Sequence, residues 1–136
     1  MSTKHILIKL IFTFVSFLTL TTCQKAPING NLDGQWQIVS VYPEAHEIII
    51  KERLYYCFYM HVCMLTYYDG VLTTGNMLFE NNKLFLDFPH ANGYDTIKKL
   101  KQYGIYSNPT IFNIEHLDKN NLILQNDFAT ITLRKF

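Results

Sequence analysis

The chain has 136 residues, with 12 Lys and Arg against 11 Asp and Glu, so its formal net charge at pH 7 is +1. This near-neutral balance gives no electrostatic reason to expect nucleic acid or another strongly charged partner. Aromatic residues make up 15% of the chain and are mostly Tyr and Phe. They are typical of β-strands and of aromatic β-cores.

The N-terminus has the composition of a signal peptide. An apolar run covers residues 6–20, with Lys4 before it and Lys9 near its start. The run is about 15 residues long, whereas a membrane-spanning helix needs roughly 20 and a signal-peptide core has about 7–15. A cleaved signal therefore fits better than the alternative, an uncleaved N-terminal anchor.

Leu20-Thr21-Thr22-Cys23 resembles a bacterial lipobox, where the signal is removed and the new N-terminal cysteine is acylated. We therefore predict a lipoprotein signal peptide over residues 1–22, lipid on Cys23 and a lipidated tether over residues 23–31. The membrane would then be a partner through the lipid alone. Gln24 after the cysteine is compatible with an outer-membrane lipoprotein that faces the periplasm.

The folded domain is expected over residues 32–136, and the 114 residues left after cleavage suit a single core. Gln35–Tyr42 predicts a strand, whereas residues 43–53 fit either a short helix or a strand. Leu54–Tyr68 predicts one long strand that is apolar on both faces. Its second face would then be covered by residues 43–53, by another protein or by a ligand.

A single strand over Leu54–Tyr68 would keep its two cysteines apart. Cys57 and Cys63 would lie roughly 20 Å from each other, and a disulfide requires less than about 7 Å between Cα atoms. The segment contains no Gly, Pro, Asn or Asp to reverse the chain. We therefore interpret both cysteines as reduced thiols in apolar surroundings.

The remaining segments alternate between strand and turn patterns. Asp69-Gly70 and Asn81-Asn82 predict tight turns, and Lys83–Phe88 alternates between apolar and polar positions. Further strands are predicted over Leu72–Glu80, Thr110–Leu117, Leu122–Asn126 and Phe128–Phe136. Strands of this length and spacing favour an antiparallel sandwich or barrel.

One helix interrupts this pattern near residues 94–103, with Gly104 suited to its C-terminal end. Its apolar face would cover one end of the core. An alternative function for its outer face, which carries Lys98, Lys99 and Lys101, is binding of an anionic head group.

Motifs for catalysis or metal binding are missing from the sequence. His61-x-Cys63 is the most closely spaced pair of a His and a Cys, and a zinc site needs three or four ligands. Neither Ser40 nor Ser107 lies in a G-x-S-x-G motif. We expect a protein that is not an enzyme and has no metal or cofactor.

Leu32-Asp-Gly-Gln-Trp36 resembles the L-x-G-x-W motif that opens the first strand of lipocalin-like barrels. The C-terminal segments Phe112–Leu117, Leu122–Leu124 and Ile131–Phe136 also resemble the last strands of small lipocalin-like lipoproteins of Bacteroidetes-type bacteria. The resemblance implies an all-β fold, a single antiparallel up-and-down barrel of about eight strands with a short helix. It also implies that Trp36 closes one barrel end, with Gly34 beside it and Arg134 packed on the indole.

Two functions remain open. In the first, the barrel binds a small apolar molecule or lipid, and the inward residues are its lining. The predicted lining residues are Ile38, Phe58, Met60, Leu84, Leu86 and Phe112. In the second, the core is filled and an outer surface docks another envelope protein. An internal cavity above roughly 300 Å³ would favour the first function, and a filled barrel with an exposed apolar patch the second.

Overall fold

The computed structural model describes residues 3–9, 28–43, 48–50 and 52–136. Residues 3–9 are helical, and the side chains of residues 48 and 49 are not described. The predicted cleavage site, Cys23 and most of the tether lie outside the described residues. Within the described ranges, no helix combines the length and the apolarity that crossing a membrane requires.

Nine strands and one α-helix make up the described part of the domain. The strands are β1 (Gly34–Pro43), β2 (Ile48–Ile49), β3 (Tyr55–Tyr59), β4 (Val62–Tyr67), β5 (Gly70–Glu80), β6 (Lys83–Asp87), β7 (Thr110–Leu117), β8 (Asn121–Gln125) and β9 (Ala129–Lys135). The helix α1 is Tyr94–Leu100, and short 3-10 helices cover Gly30–Leu32 and Lys101–Tyr103.

The strands close into a barrel. From β3 to β9 each strand pairs antiparallel with the next, while β1 pairs with β3 on one side and with β9 on the other. This confirms the predicted eight-stranded antiparallel barrel with a short helix. The two-residue β2 adds to the far half of β1, where Ile48 and Ile49 pair with Val41 and Ser40.

The alternation of apolar and polar residues along each strand determines which side chains form the core. In β6, Leu84 and Leu86 are buried while Lys83, Phe85 and Asp87 face outward, as the sequence pattern predicts. The inward residues of all eight barrel strands, together with residues from the helical segment, form one continuous apolar cluster. Burial of a Leu, Ile or Phe side chain contributes about 1.5–3 kcal/mol, so this cluster is the main source of stability.

The prediction of one strand over Leu54–Tyr68 is wrong, because the segment is a hairpin. β3 and β4 pair face to face, with Phe58 opposite Cys63 and Tyr59 opposite Val62. The turn consists of Met60 and His61, and Met60 has a φ of 54°. A left-handed methionine gives no turn signal in a sequence, since such turns normally use Gly, Asn or Asp. The inward residues of the hairpin are buried, whereas Tyr59 and Val62 on the outward face are exposed, so part of the second apolar face is uncovered.

The hairpin also places the two cysteines on opposite faces of the sheet. Cys57 pairs with Met64 and points outward, whereas Cys63 pairs with Phe58 and points into the core. Both are free thiols. Their side chains point to opposite faces of the sheet, and this separates them in place of the predicted distance along one strand. Burial raises the pKa of both thiols, most strongly for Cys63. His61 lies in the turn, so it shares no strand face with Cys63.

The other turns and the helix follow the sequence. Asn81 and Asn82 form the β5–β6 turn with φ values of 52° and 59°. Helix α1 continues into the 3-10 turn Lys101–Tyr103, and Gly104 ends it in the left-handed conformation. Gly93 occupies the N-cap position of α1, which has no side-chain capping hydrogen bond.

Replacement of Met60 by Asn should stabilise the domain by about 0.5–1 kcal/mol. A left-handed conformation costs most L-residues roughly 1–2 kcal/mol, and Asn tolerates it better. The matched control is Asn82→Met, which places methionine at a similar φ in the β5–β6 turn and should lower stability. The measurement is the free energy of unfolding in urea. A loss of stability in Met60→Asn would contradict the strain assigned to Met60.

Candidate functional site

The barrel end at which β1 begins is closed by Trp36 and is called here the tryptophan end. The indole is fully buried, and its Nε1 donates a hydrogen bond of 2.8 Å to the carbonyl oxygen of Leu32. Leu32, in the first 3-10 helix, is also fully buried and covers this end of the core.

A lysine side chain lies over the ring of the indole. The ammonium nitrogen of Lys135 is 4.4 Å from the centroid of the Trp36 ring, within the range of a cation–π interaction. It donates hydrogen bonds to the carbonyl oxygens of Asn31 and Asp33. Partial burial lowers the pKa of Lys135, and the charge of Asp33 opposes this change.

Gly34 leaves the space that this lysine occupies. Its φ is 127°, and a β-carbon there would lie 2.8 Å from the Nζ atom of Lys135. A larger residue at position 34 would therefore be strained and would displace the ammonium from the indole.

The predicted role of Arg134 is wrong. Trp36 pairs with Lys135 across the β1–β9 ladder, and Arg134 pairs with Gln37. Neighbouring residues on a strand point to opposite faces, so only Lys135 can lie on the same side as the indole. Arg134 is exposed and donates to Oε1 of Gln37 at 3.0 Å through Nη2.

The predicted ligand-lining residues do not line a cavity together. Five of them lie in the packed core cluster, each at most 1% exposed. They are Ile38, Phe58, Leu84, Leu86 and Phe112. The sixth, Met60, is wrong as an inward residue, because it lies in the β3–β4 turn and is 44% exposed. The described core is therefore filled by side chains.

The opposite end of the barrel is covered by α1 and the following 3-10 turn, and is called here the helix-capped end. Leu100, Tyr103 and Ile105 are buried there against the barrel. The Tyr103 hydroxyl donates to the carbonyl oxygen of Thr66 at 2.6 Å, and the Tyr56 hydroxyl donates to the carbonyl oxygen of Tyr103. Burial raises the pKa of both tyrosines, so their hydroxyl groups stay protonated as donors.

A pocket of ≈ 260 Å³ lies beside the helix-capped end, at the mouth of the barrel. Three segments meet there, namely residues 52–54 before β3, the β4–β5 turn with the start of β5, and the end of α1. Its lining is Glu52, Arg53, Leu54, Tyr67, Tyr68, Leu72, Lys99, Gln102 and Tyr103. We call it the tyrosine pocket. It is slightly smaller than the roughly 300–1,000 Å³ of pockets for drug-sized ligands.

The charges at the tyrosine pocket have a defined arrangement. The Arg53 guanidinium lies 5.7 Å from the ring centroid of Tyr68, so the arginine borders an aromatic wall. Lys99 supplies a second cation from α1, and Glu52 supplies one carboxylate. Of the predicted lysine face, Lys99 lines this pocket while Lys101 lies 5.9 Å from the Tyr106 ring, so the lysines do not form one patch.

A second surface feature lies on the outside of β5, β6 and β7. Leu78 pairs with Phe85, and Phe85 pairs with Ile111. All three side chains point outward and are exposed. They lie along a shallow groove of ≈ 250 Å³. We call these three residues the outer row.

Among the described residues, no group of three or more His, Cys, Asp or Glu could hold a metal ion. The close pair His116 and Asp118, 2.6 Å apart, is exposed. Asp118 also accepts backbone hydrogen bonds from Asn120 and Asn121. The bond from Asn120, then His116 and Asn121, lower the pKa of Asp118 to about 2. These contacts cap the β7–β8 turn.

The adjacent cations of β9 allow a matched test. Lys135→Met should lower the free energy of unfolding by about 1–2 kcal/mol, since it removes the cation from the indole face. Arg134→Met should change it by less than about 0.5 kcal/mol, as expected for an exposed side chain. Urea unfolding measures both. Equal losses, or a larger loss for Arg134→Met, would contradict the assignment of Lys135.

Comparison with known proteins identifies the fold. A family model described as a lipocalin-like domain matches residues 18–136. The structure is similar to that of a lipocalin-like protein from Bacteroides uniformis, with a TM-score of 0.65, 20% identity and coverage of 79% of this chain and 100% of that one.

An uncharacterized protein from Bacteroides eggerthii is also similar, with a TM-score of 0.60, 15% identity and coverage of 76% of this chain and 98% of that one. At these identities the two structures support the fold alone. No curated protein matches the sequence. Because the family model spans most of the sequence, the chain belongs to the lipocalin-like domain family.

Proposed function

We propose that the protein is a lipid-anchored lipoprotein of the cell envelope that binds a small amphipathic molecule in the tyrosine pocket. The observation that carries the binding role is the pocket itself, where Tyr67, Tyr68 and Leu72 lie beside Arg53 and Lys99. The core residues predicted to line a ligand are packed against one another, which supports a site at the barrel mouth instead of the interior.

The lining defines the class of ligand. The aromatic and aliphatic side chains suit a flat apolar body, which stacks on tyrosine rings. Two cations against one carboxylate leave an excess positive charge at the rim, which suits one anionic group on the ligand. We propose binding and no catalysis, and the ligand is a small molecule with an aromatic or alicyclic body and a single negative charge.

The proposed anchor rests on the lipobox-like sequence at Cys23. Cells that express the full chain and are fed radiolabelled palmitate should incorporate label into the wild type and not into Cys23→Ser. The wild type should also sediment with the outer membrane, as a periplasm-facing lipoprotein would. Equal labelling of both proteins, or no labelling of either, would refute acylation at this cysteine.

Binding in the tyrosine pocket can be tested with 1-anilinonaphthalene-8-sulfonate, an anionic aromatic probe of the proposed class. Leu72→Glu places a carboxylate in the pocket and should weaken binding of the probe at least about tenfold, which is 1.4 kcal/mol. Leu78→Glu in the outer row is the matched control and should leave the Kd unchanged. Native mass spectrometry of the purified wild type should detect a bound small molecule that Leu72→Glu lacks.

The filled core and the exposed outer row together support a second candidate, which is the alternative function of docking another envelope protein. A cross-strand row of three exposed apolar side chains is typical of a surface that is covered by a partner. If the probe binds Leu72→Glu and wild type equally while Leu78→Glu binds less, the pocket proposal is wrong. The outer row would then be the better candidate for the functional surface.

A further inference from the structure

The tip of the β3–β4 hairpin exposes apolar side chains at the tryptophan end. Tyr59 is 70% exposed, Met60 44% and Val62 47%. Ile28, at the start of the described domain, is 61% exposed. We call these four residues the tip patch.

Hydrogen bonds of Asn29 hold the chain next to Ile28 beside the hairpin tip. The Nδ2 atom of Asn29, next to Ile28, donates to the carbonyl oxygen of Met60 at 2.9 Å. The same nitrogen donates to Oδ1 of Asp33 at 2.7 Å, which fixes the entering chain against the barrel. Tyr59 and Val62 are direct cross-strand partners. The chain from the tether therefore joins the barrel directly beside the hairpin tip.

A second turn at the same end shows that the apolar tip is not required by the fold. Asn81 and Asn82 adopt the left-handed conformation with polar side chains suited to it. Met60 adopts a comparable φ of 54° with a side chain that is neither suited to it nor buried. Residues kept in an unfavourable conformation are concentrated at functional positions.

The length of the tether limits how far the tip patch can lie from Cys23. Only five positions separate Ile28 from Cys23, so the connection reaches at most about 18 Å in any conformation. If acyl chains hold Cys23 in a bilayer, as proposed above, the tryptophan end faces the lipid at close range. The proposal that follows rests on that anchor.

We propose that the tip patch inserts into the interface of the phospholipid bilayer and fixes the orientation of the barrel on the membrane. Tyr59 suits the head-group level, where tyrosine is enriched at membrane surfaces. Met60, Val62 and Ile28 supply the apolar area that extends past the head groups. The acyl chains hold the protein on the membrane, and the tip patch determines which end of the barrel faces the lipid.

Fluorescence quenching by brominated lipid tests this orientation. Acylated full-length protein is reconstituted into phosphatidylcholine vesicles, with or without bromine on the lipid acyl chains. Met60→Trp should shift to shorter emission wavelengths on reconstitution and lose at least about half of its added emission in brominated vesicles. The control, Tyr94→Trp at the exposed start of α1 on the helix-capped end, should show neither effect. Trp36 is buried and supplies the same background in both variants.

The results test acylation of Cys23 and the orientation of the barrel separately. If mass spectrometry shows acyl chains on Cys23 and Met60→Trp is not quenched, the anchor holds and insertion of the tip patch is wrong. If Cys23 carries no acyl chain, the proposed anchor fails and the orientation argument fails with it. Should Met60→Trp lose the circular dichroism spectrum of the wild type, Tyr59→Trp provides the same measurement from the neighbouring position.

Discussion

The pairing of β1 with β9 is the interaction on which the rest of the structure depends. It joins the first and last barrel strands along almost their whole length and removes the open edges of the sheet. Once the barrel is closed, its interior has a fixed volume. Trp36, Tyr56, Phe58 and Phe112 fill much of that volume, and Leu32 and Tyr103 close its two ends. Any ligand must therefore bind outside the core.

Much of the fold could be predicted from the sequence, because each strand carries its own signal. Lys83–Asp87 alternates strictly, and Asn81-Asn82 is a turn that local chemistry specifies. The β3–β4 hairpin was missed because Met60-His61 has none of the usual turn residues. A fifteen-residue apolar run and a hairpin with two apolar halves have the same composition, and only pairing in space distinguishes them.

The candidate site was harder to predict than the fold. The tyrosine pocket joins three segments that are distant in sequence, so no local motif marks it. Tyr67-Tyr68, directly before Asp69-Gly70 in the sequence, is a local sign of an exposed aromatic surface. The register of β9 against β1 places Lys135 over Trp36 in place of the predicted Arg134, and a family resemblance does not determine that register. One position of shift moves a side chain from one barrel face to the other.

The tyrosine pocket and the entry of the tether lie at opposite poles of the barrel, since β3 starts at one and ends at the other. For a membrane-anchored molecule this polarity makes the barrel a spacer. A bound compound would be presented to the aqueous compartment at the height of one barrel above the lipid. Exchange with a second envelope component could then take place without the anchored protein leaving its membrane.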